Sequence, residues 1–308
     1  MTGWRRWAAL ALAVSLVGCG TTAAPPDLMQ GNRPLLRLEP LGQPRATVIA
    51  LHGYNDHKGA FLPFGAAAAE AGIRVVAYDQ SGFGANLNQG FWGGDEVLVQ
   101  DLFAKIEHAR RLAPDAPVFV LGESMGASVA MLALARDDAP EVDGLILAAP
   151  GVWAGDTLNP WFRRALGVVA GIAPDADLAR GRPRDVQASD NIPMLIALGR
   201  SRYYTRTARA AALYGLIRLM DQGLEAAPAL DVPRLVLIGD HDEVVPDHAY
   251  AAFLASLAAD DCTLIRYADG WHLLFRDHGR ELPIADTLAW IEGREPPSAT
   301  ATCVAPSS

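Results

Sequence analysis

The feature that most constrains this chain is a serine held between two glycines, directly after a short apolar run. Residues 118–121 read Val-Phe-Val-Leu, the pentapeptide Gly122-Glu123-Ser124-Met125-Gly126 follows, and a helix-compatible run of Ala, Val, Met and Leu comes next. A strand that passes directly into a helix requires a sharp turn, in which side chains at both glycine positions would collide with neighbouring backbone. We therefore predict a strand–turn–helix unit that exposes the Ser124 hydroxyl in a strained conformation.

The same succession of buried strand and helix recurs along the chain and predicts an α/β fold. Several apolar runs lack the polar alternation of a half-exposed strand, as expected for strands covered on both faces of a parallel sheet. Short links join these runs to helical segments, which favours one mostly parallel sheet flanked by helices. The predicted strands are 35–38, 46–51, 73–78, 118–121, 144–149, 234–238 and 263–267, and the predicted helices are 60–71, 95–112, 125–136, 247–258 and 282–292.

The alternation stops in the second half of the chain. Residues 151–228 contain no strong strand and hold two helix candidates, 159–172 and 205–223. We predict that this segment is a helical cap, inserted into an α/β core formed by 34–150 and 229–292. The cap is rich in apolar side chains at helical spacing, which would either form its own core or line a tunnel for an acyl chain and dock on a membrane.

The first residues are predicted to be a removable targeting segment. Two arginines precede an apolar stretch at 7–17, which is shorter than the roughly 20 helical residues that span a bilayer. Gly18 and Cys19 follow this stretch, and Cys19 resembles the lipidated cysteine of the bacterial lipobox; an ordinary signal peptide that contains a cysteine is the alternative. We expect 1–18 to be a lipoprotein signal peptide and 19–33 a tether to the cell envelope. By resemblance to Gram-negative sorting rules, Gly20 favours the outer membrane.

Composition and cysteine content bear on the partners of the chain. The 308 residues carry a formal net charge of -9 without a Lys/Arg cluster beyond the first residues, so we expect no nucleic acid partner. The sequence has no C-x-x-C or H-E-x-x-H motif, so we expect neither a metal nor another cofactor.

Cys262 and Cys303 could pair in an oxidising compartment, but Cys303 lies in a Pro-, Ser-, Ala- and Thr-rich tail, 293–308, that we predict to be disordered. The sequence therefore leaves the pairing of these two cysteines open. It also does not indicate the oligomeric state.

Candidate partners for Ser124 lie in two loops that follow late strands. A serine hydroxyl is a poor nucleophile at neutral pH, so an imidazole must accept its proton and a carboxylate must orient that imidazole. One late strand is followed by Asp240 and Asp242, and the last predicted strand is followed by His272. Because sheets of this kind place ligands at the carboxyl ends of their strands, these side chains are candidates for a catalytic set.

Five short segments together resemble the monoacylglycerol lipase and lysophospholipase branch of the α/β-hydrolases, which includes serine aminopeptidase-like enzymes. The resemblance covers residues 35–292 and is weakest in the cap. It implies an α/β-hydrolase fold, a mostly parallel sheet flanked by helices, with a helical cap insertion. The segments are His52-Gly53, Asp79-Gln80-Ser81-Gly82-Phe83-Gly84, Gly122-Glu123-Ser124-Met125-Gly126, Gly239–Val245 and Gly270-Trp271-His272.

The resemblance assigns a role to each matching side chain. Ser124 would be the nucleophile, Asp242 the acid and His272 the base. The family spacing G-x-x-D-x-x-V fits Asp242 rather than Asp240, for which a turn or capping role remains. His272 is favoured over His278, which falls near the start of the last helix and is expected at the surface.

The resemblance also implies an oxyanion hole formed by the backbone amides of Tyr54 and Met125. The family often has a small residue in place of Tyr54, whose bulk could narrow the acyl pocket. In the same loop we expect His52 to orient the backbone, and Asp56 and His57 to be solvated.

The function implied is that of a serine hydrolase of class EC 3.1.1, which cleaves carboxylic esters of monoacyl lipids through an acyl-enzyme intermediate. The substrate would be a monoacylglycerol or a lysophospholipid, and a lipid anchor would hold the enzyme at the membrane. A small-ester carboxylesterase or an acyltransferase would use the same residues. An inactive lipid-binding lipoprotein would be expected to show a broken catalytic set, which this sequence does not show.

Overall fold

One sheet that contains the buried apolar runs of the sequence organises the fold. The computed structural model describes residues 34–179, 186–257, 261–298 and 301–303. Within these ranges eight strands form the sheet. They are β1 (Leu35–Leu38), β2 (Ala46–Leu51), β3 (Ile73–Tyr78), β4 (Val118–Glu123), β5 (Gly144–Ala148), β6 (Arg234–Gly239), β7 (Cys262–Tyr267) and β8 (Ala301–Thr302). Their order across the sheet is β1-β3-β2-β4-β5-β6-β7-β8.

The strand directions bring one end of each central strand to a common edge. Strands β2 to β7 pair in parallel, while β1 runs antiparallel to β3 and β8 runs antiparallel to β7. Every residue of β2, β4, β5 and β6 is buried, which explains why these strands are apolar without alternation. We call the end of the sheet where β2 to β7 terminate the carboxyl edge. The predicted α/β fold is confirmed.

Helices cover both faces of the sheet and form two apolar cores. The helices outside the cap are α1 (Leu62–Glu70), α2 (Asp95–Leu112), α3 (Met125–Leu134), α7 (Asp247–Ser256) and α8 (Glu281–Ile291). On one face α1 and α8 pack through Phe64, Ile284 and Ile291. On the other face α2, α3 and α7 pack around residues such as Leu102 and Phe253.

Three helices form the described part of the cap. They are α4 (Pro160–Ile172), α5 (Ile192–Arg200) and α6 (Ala210–Ala226), and they lie between β5 and β6. Helices α4 and α6 correspond to the two predicted cap helices, while α5 was not predicted. Helix α6 packs on α3, so closely that a Cβ at Gly223 would lie 2.9 Å from the carbonyl oxygen of Ser128. The cap is thereby seated on the helix that follows the serine turn.

The carboxyl-terminal segment corrects one prediction. We expected 293–308 to be disordered, but strand β8 pairs with the edge of β7 and a disulfide joins Cys303 to Cys262. Ser298 also donates from its backbone and its hydroxyl to the buried Asp286 of α8. These contacts hold the described part of the tail against the domain.

The predicted signal peptide, Cys19 and the tether all lie in residues 1–33, outside the described ranges. Among the residues that are described, no helix combines the length and apolarity needed to cross a membrane.

Candidate active site

The turn between β4 and α3 holds Ser124 as the sequence predicts. Ser124 has a φ of 55°, a left-handed conformation that is uncommon outside glycine. A Cβ at Gly122 would lie 2.5 Å from the backbone of Ala127, and one at Gly126 would lie 2.1 Å from the carbonyl oxygen of Leu51. Both glycines are therefore required for the close approach of strand and helix.

Three of the predicted side chains meet at the carboxyl edge in one hydrogen-bonded chain. The Ser124 hydroxyl lies 2.9 Å from Nε2 of His272, and Nδ1 of His272 lies 2.7 Å from Oδ2 of Asp242. With the ring proton on Nδ1, the histidine donates to the carboxylate and its Nε2 accepts from the serine. His272 and Asp242 are 5% and 2% exposed, so the pair is shielded from water.

The loop after β6 fixes the acid from both sides. Oδ1 of Asp242 accepts hydrogen bonds from the backbone amides of Val244 and Val245 at 2.8 and 2.9 Å. Oδ2 accepts at 2.5 Å from the hydroxyl of Tyr250, which lies on α7. The carboxylate is thus oriented toward His272 by three donors besides the histidine.

Burial and charge act in opposite directions on these groups. Burial alone would lower the pKa of His272, but the charge and hydrogen bond of Asp242 outweigh it and raise the pKa above 6.5. Burial alone would raise the pKa of Asp242, but His272, Tyr250 and Val245 favour its charged form and lower the pKa. Burial and the neighbouring Asp242 raise the pKa of Tyr250 well above its ordinary value, so the phenol remains a donor.

The loop after β2 lies directly against the serine. A Cβ at Gly53 would be 3.2 Å from the Cβ of Ser124, which places Tyr54 beside the nucleophile turn. Met125 is the first residue of α3, where backbone amides lack helical partners and the helix dipole is positive. His52 behaves as expected for an orienting residue: its Nδ1 donates to the Gly53 carbonyl at 2.8 Å and its Nε2 accepts from the Gln80 amide at 3.1 Å.

Asp240 and His278, the alternatives for the acid and the base, lie outside the hydrogen-bonded chain of Ser124. Asp240 forms an ion pair with Arg266 at 2.7 Å, and His278 is exposed. Asp56, which we expected to be solvated, is buried and paired with Arg276 at 2.7 Å. The expectation was wrong because the partner of Asp56 lies far away in the sequence, where no local pattern indicates it.

Sequence reasoning also missed two residues that contact the site. Tyr250 lies inside a predicted helix, 247–258, without an assigned role, and Arg276 was not singled out. Nothing in their spacing marks a role, since each contact is created by the tertiary fold. Within the described ranges, no group of three or more His, Cys, Asp or Glu side chains is arranged to hold a metal ion.

The sequence of this chain is similar to those of known proteins. Residues 42–279 match the sequence profile described as serine aminopeptidase, S33. A monoacylglycerol lipase of Mycolicibacterium smegmatis is 30% identical over 262 residues, covering 80% of this chain and 88% of that protein. The monoglyceride lipase of Homo sapiens is 27% identical over 244 residues, covering 78% of this chain and 79% of that protein.

Solved structures agree in fold. The monoacylglycerol lipase of Paleococcus ferrophilus matches with a TM-score of 0.73 at 18% identity, covering 85% of this chain and 99% of that chain. A monoglyceride lipase of Saccharomyces cerevisiae, solved with a substrate analog, matches with a TM-score of 0.72 at 16% identity, covering 86% of this chain and 97% of that chain. The part matched by the family profile contains Ser124, Asp242 and His272.

Proposed function

Because this chain belongs to the serine aminopeptidase S33 family of α/β-hydrolases, we propose that it hydrolyses the carboxylic ester of monoacylglycerols through an acyl-enzyme intermediate. The observation that carries the proposal is the hydrogen-bonded chain from Ser124 through His272 to Asp242, with distances of 2.9 and 2.7 Å. The relatives named above as monoacylglycerol or monoglyceride lipases support this substrate. The unbroken chain of contacts favours an active enzyme over an inactive lipid-binding protein.

In the first half of the reaction, Oγ of Ser124 attacks the ester carbonyl carbon while Nε2 of His272 accepts the hydroxyl proton. Asp242 stabilises the resulting imidazolium. When the tetrahedral intermediate collapses, the bond from the acyl carbon to the glycerol oxygen breaks. His272 gives the proton to that oxygen, glycerol leaves, and the acyl group remains on Ser124.

In the second half, water attacks the acyl carbon and His272 accepts one of its protons. Collapse of this intermediate breaks the bond to Oγ, the proton returns to Ser124, and the fatty acid leaves. In both halves the amides of Tyr54 and Met125 would donate to the oxyanion, since their segments lie on either side of the serine. A missing donor of this type typically lowers the rate by about 10²–10³-fold.

The cap supports a lipid substrate. The first turn of helix α4 contains Trp161 and Phe162, which are 73% and 49% exposed, and the helix ends at Ile172, which is 79% exposed. Large apolar side chains in water are costly, and they are typical of surfaces that meet membranes or amphiphiles. A cap of this kind suits an enzyme that takes its substrate from a bilayer.

The location of the enzyme belongs to the proposal. Cys19 would be lipidated after removal of 1–18, with residues 19–33 as the tether to the outer membrane of the cell envelope. The first described residue supports this arrangement, because the carbonyl of Pro34 accepts from the amide of Asp79, directly after the carboxyl end of β3. A tether attached there would emerge at the edge of the sheet that holds Ser124. The disulfide is typical of an oxidising compartment.

Lipidation is tested by growing cells that express the full chain with an alkyne-modified palmitate. We expect label on the wild-type protein in the membrane fraction and no label on Cys19→Ser. An unlabelled wild-type protein, or equal labelling of both proteins, would refute the anchor.

Substrate class is tested with protein that lacks residues 1–19. Nitrophenyl esters with two to sixteen acyl carbons are assayed beside monoacylglycerol and lysophospholipid, with Ser124→Ala as the control. We expect turnover of monoacylglycerol, a preference for medium or long chains, and no turnover by the variant. A preference for acetate or butyrate would replace the proposal with a small-ester carboxylesterase, and preferred turnover of lysophospholipid would change the head group.

A further inference from the structure

A buried ion cluster of one arginine and two carboxylates lies beneath the catalytic loops. Nη1 of Arg276 lies 2.7 Å from Oδ2 of Asp56, with side chains 6% and 6% exposed. Nη2 of Arg276 donates at 2.8 Å to Oε2 of Glu123, whose side chain is 1% exposed. Each carboxylate is therefore bound by one of the two terminal nitrogens of a single guanidinium.

Each member of the cluster belongs to a different segment of the site. Asp56 lies two residues after Tyr54 in the loop that follows β2, and its amide donates to the Gly53 carbonyl at 3.2 Å. Glu123 is the last residue of β4 and directly precedes Ser124. Arg276 lies four residues after His272, in a turn closed by a 2.8 Å bond from its amide to the Leu273 carbonyl.

We propose that Arg276 is a positioning residue, which holds the oxyanion loop, the serine turn and the histidine loop in register through Asp56 and Glu123. The reaction requires the serine, the histidine and two amide donors to be aligned within a fraction of an ångström. Backbone bonds tie the serine turn to β5, through the Ser124 amide and the Ala148 carbonyl at 3.0 Å, whereas Arg276 joins this turn to the other two loops through side chains. A misplacement of about 1 Å in such a site lowers the rate by about 10²-fold.

The shape of the guanidinium suits this task. Its planar fork offers several donors in fixed directions, so one side chain can bind two carboxylates at a set separation. A lysine would keep the positive charge but would present a single nitrogen, which cannot occupy both positions of the fork. Charge and geometry can therefore be separated by substitution.

The cluster also influences the pKa of His272, the base of the catalytic set. Asp242 is the main charge that raises the pKa of His272, Glu123 raises it further, and Arg276 lowers it. Burial raises the pKa of Glu123 itself, while Arg276 favours the charged carboxylate. Replacing Glu123 with Gln removes a neighbouring negative charge, so the acid limb of the pH–rate profile should move to lower pH.

The inference rests on the proposed function, and it is tested with a nitrophenyl ester and a fluorophosphonate probe rather than with monoacylglycerol alone. For Arg276→Lys we expect kcat to fall about 10²-fold, with KM within about threefold of wild type and a slower reaction with the probe. The matched control is Arg136→Lys, since Arg136 also binds two carboxylates, Glu96 and Asp138, at 2.7 and 2.8 Å but lies outside these loops. Its kcat should equal that of wild type.

A second variant removes the whole cluster, so that no buried charge is left unpaired. The triple substitution Arg276→Met, Asp56→Asn and Glu123→Gln should keep a cooperative thermal transition and still lose about 10²-fold in kcat. Its pH–rate profile should also have the acid limb at a lower pH than wild type, because Glu123 raises the pKa of His272 by more than Arg276 lowers it. These results would separate positioning from a purely structural role.

Wild-type kcat in Arg276→Lys, or wild-type kcat in a stable triple variant, would overturn the inference. Failure of the proposed function has a different signature: the wild-type protein would hydrolyse the nitrophenyl ester and react with the probe, but it would leave monoacylglycerol intact. In that case the Arg276 variants would still report on positioning.

Discussion

At the scale of single residues, His272 lies between Ser124 and Asp242, and the carboxylate helps to set the pH at which the histidine can act. Its Nε2 must be unprotonated to accept the Ser124 proton, while Asp242 stabilises the protonated ring. The same ion pair that supports catalysis therefore moves the acid limit of activity to higher pH.

The first prediction concerns this acid limit. The pKa of His272 is raised above 6.5, so kcat/KM should fall as the pH drops through a midpoint above that value. Asp242→Asn should lower kcat by about 10⁴-fold and move the remaining limb to lower pH, because the charge that stabilises the imidazolium is lost. The measurement is the pH–rate profile of a nitrophenyl ester. Asp240→Asn is the control, and an unmoved limb in Asp242→Asn would count against the assignment.

The sequence was sufficient for some of these residues and insufficient for others. Ser124 is marked by its glycines, and Asp242 and His272 are marked by strand ends and family spacing. Tyr250 and Arg276 act across contacts between distant segments, and no local pattern encodes such contacts. The expectation that Asp56 is solvated was wrong for the same reason.

At the scale of elements, the serine turn depends on the absence of a side chain where β4 meets α3. A Cβ at Gly126 would lie 2.1 Å from the carbonyl oxygen of Leu51, and backbone cannot move aside easily. The turn is therefore intolerant to the smallest substitution. Gly171 of α4 differs, because a Cβ there would meet nothing within 4 Å.

The second prediction contrasts two glycines. Gly126→Ala should disrupt the turn and abolish hydrolysis, with a lower melting temperature. Gly171→Ala, near the end of α4, meets nothing within 4 Å and should raise stability by up to about 1 kcal/mol through better helix propensity. Thermal unfolding and ester hydrolysis of both variants provide the measurement. Equal activity of Gly126→Ala and wild type would be incompatible with the described turn.

Elements with strong patterns were predicted well, and short ones were not. Helix α2 matches its predicted range, Asp95–Leu112, because its apolar spacing is regular over many turns. Helix α5 has only 9 residues and buries none of them, so no stripe distinguishes it from its surroundings. Strand β8 has 2 residues, and only the edge of β7 and the disulfide define it.

At the scale of the whole molecule, the disulfide joins the chain's tail to the last long strand of the sheet. Cys262 and Cys303 are separated by 41 residues, and the loop between them contains α8. A crosslink of this span restricts the unfolded chain, and the chain-entropy relation gives a stabilisation of about 4 kcal/mol. The tail therefore contributes to stability although it is remote from Ser124.

The third prediction concerns the contribution of this disulfide to stability. Cys303→Ser should lower the free energy of unfolding by up to about 4 kcal/mol, measured by denaturant unfolding, with kcat at room temperature unchanged. Wild-type protein treated with dithiothreitol serves as the control and should behave like the variant. Equal unfolding midpoints for oxidised and reduced wild type would show that the crosslink contributes nothing.

The central claim is that Ser124 is the nucleophile of an esterase, and covalent labelling tests it most directly. The protein is treated with a fluorophosphonate, digested and analysed by mass spectrometry. We predict one adduct per chain, located on Ser124, with labelling abolished in Ser124→Ala and greatly slowed in His272→Ala. An unlabelled wild-type protein, or an adduct on another residue, would contradict the account.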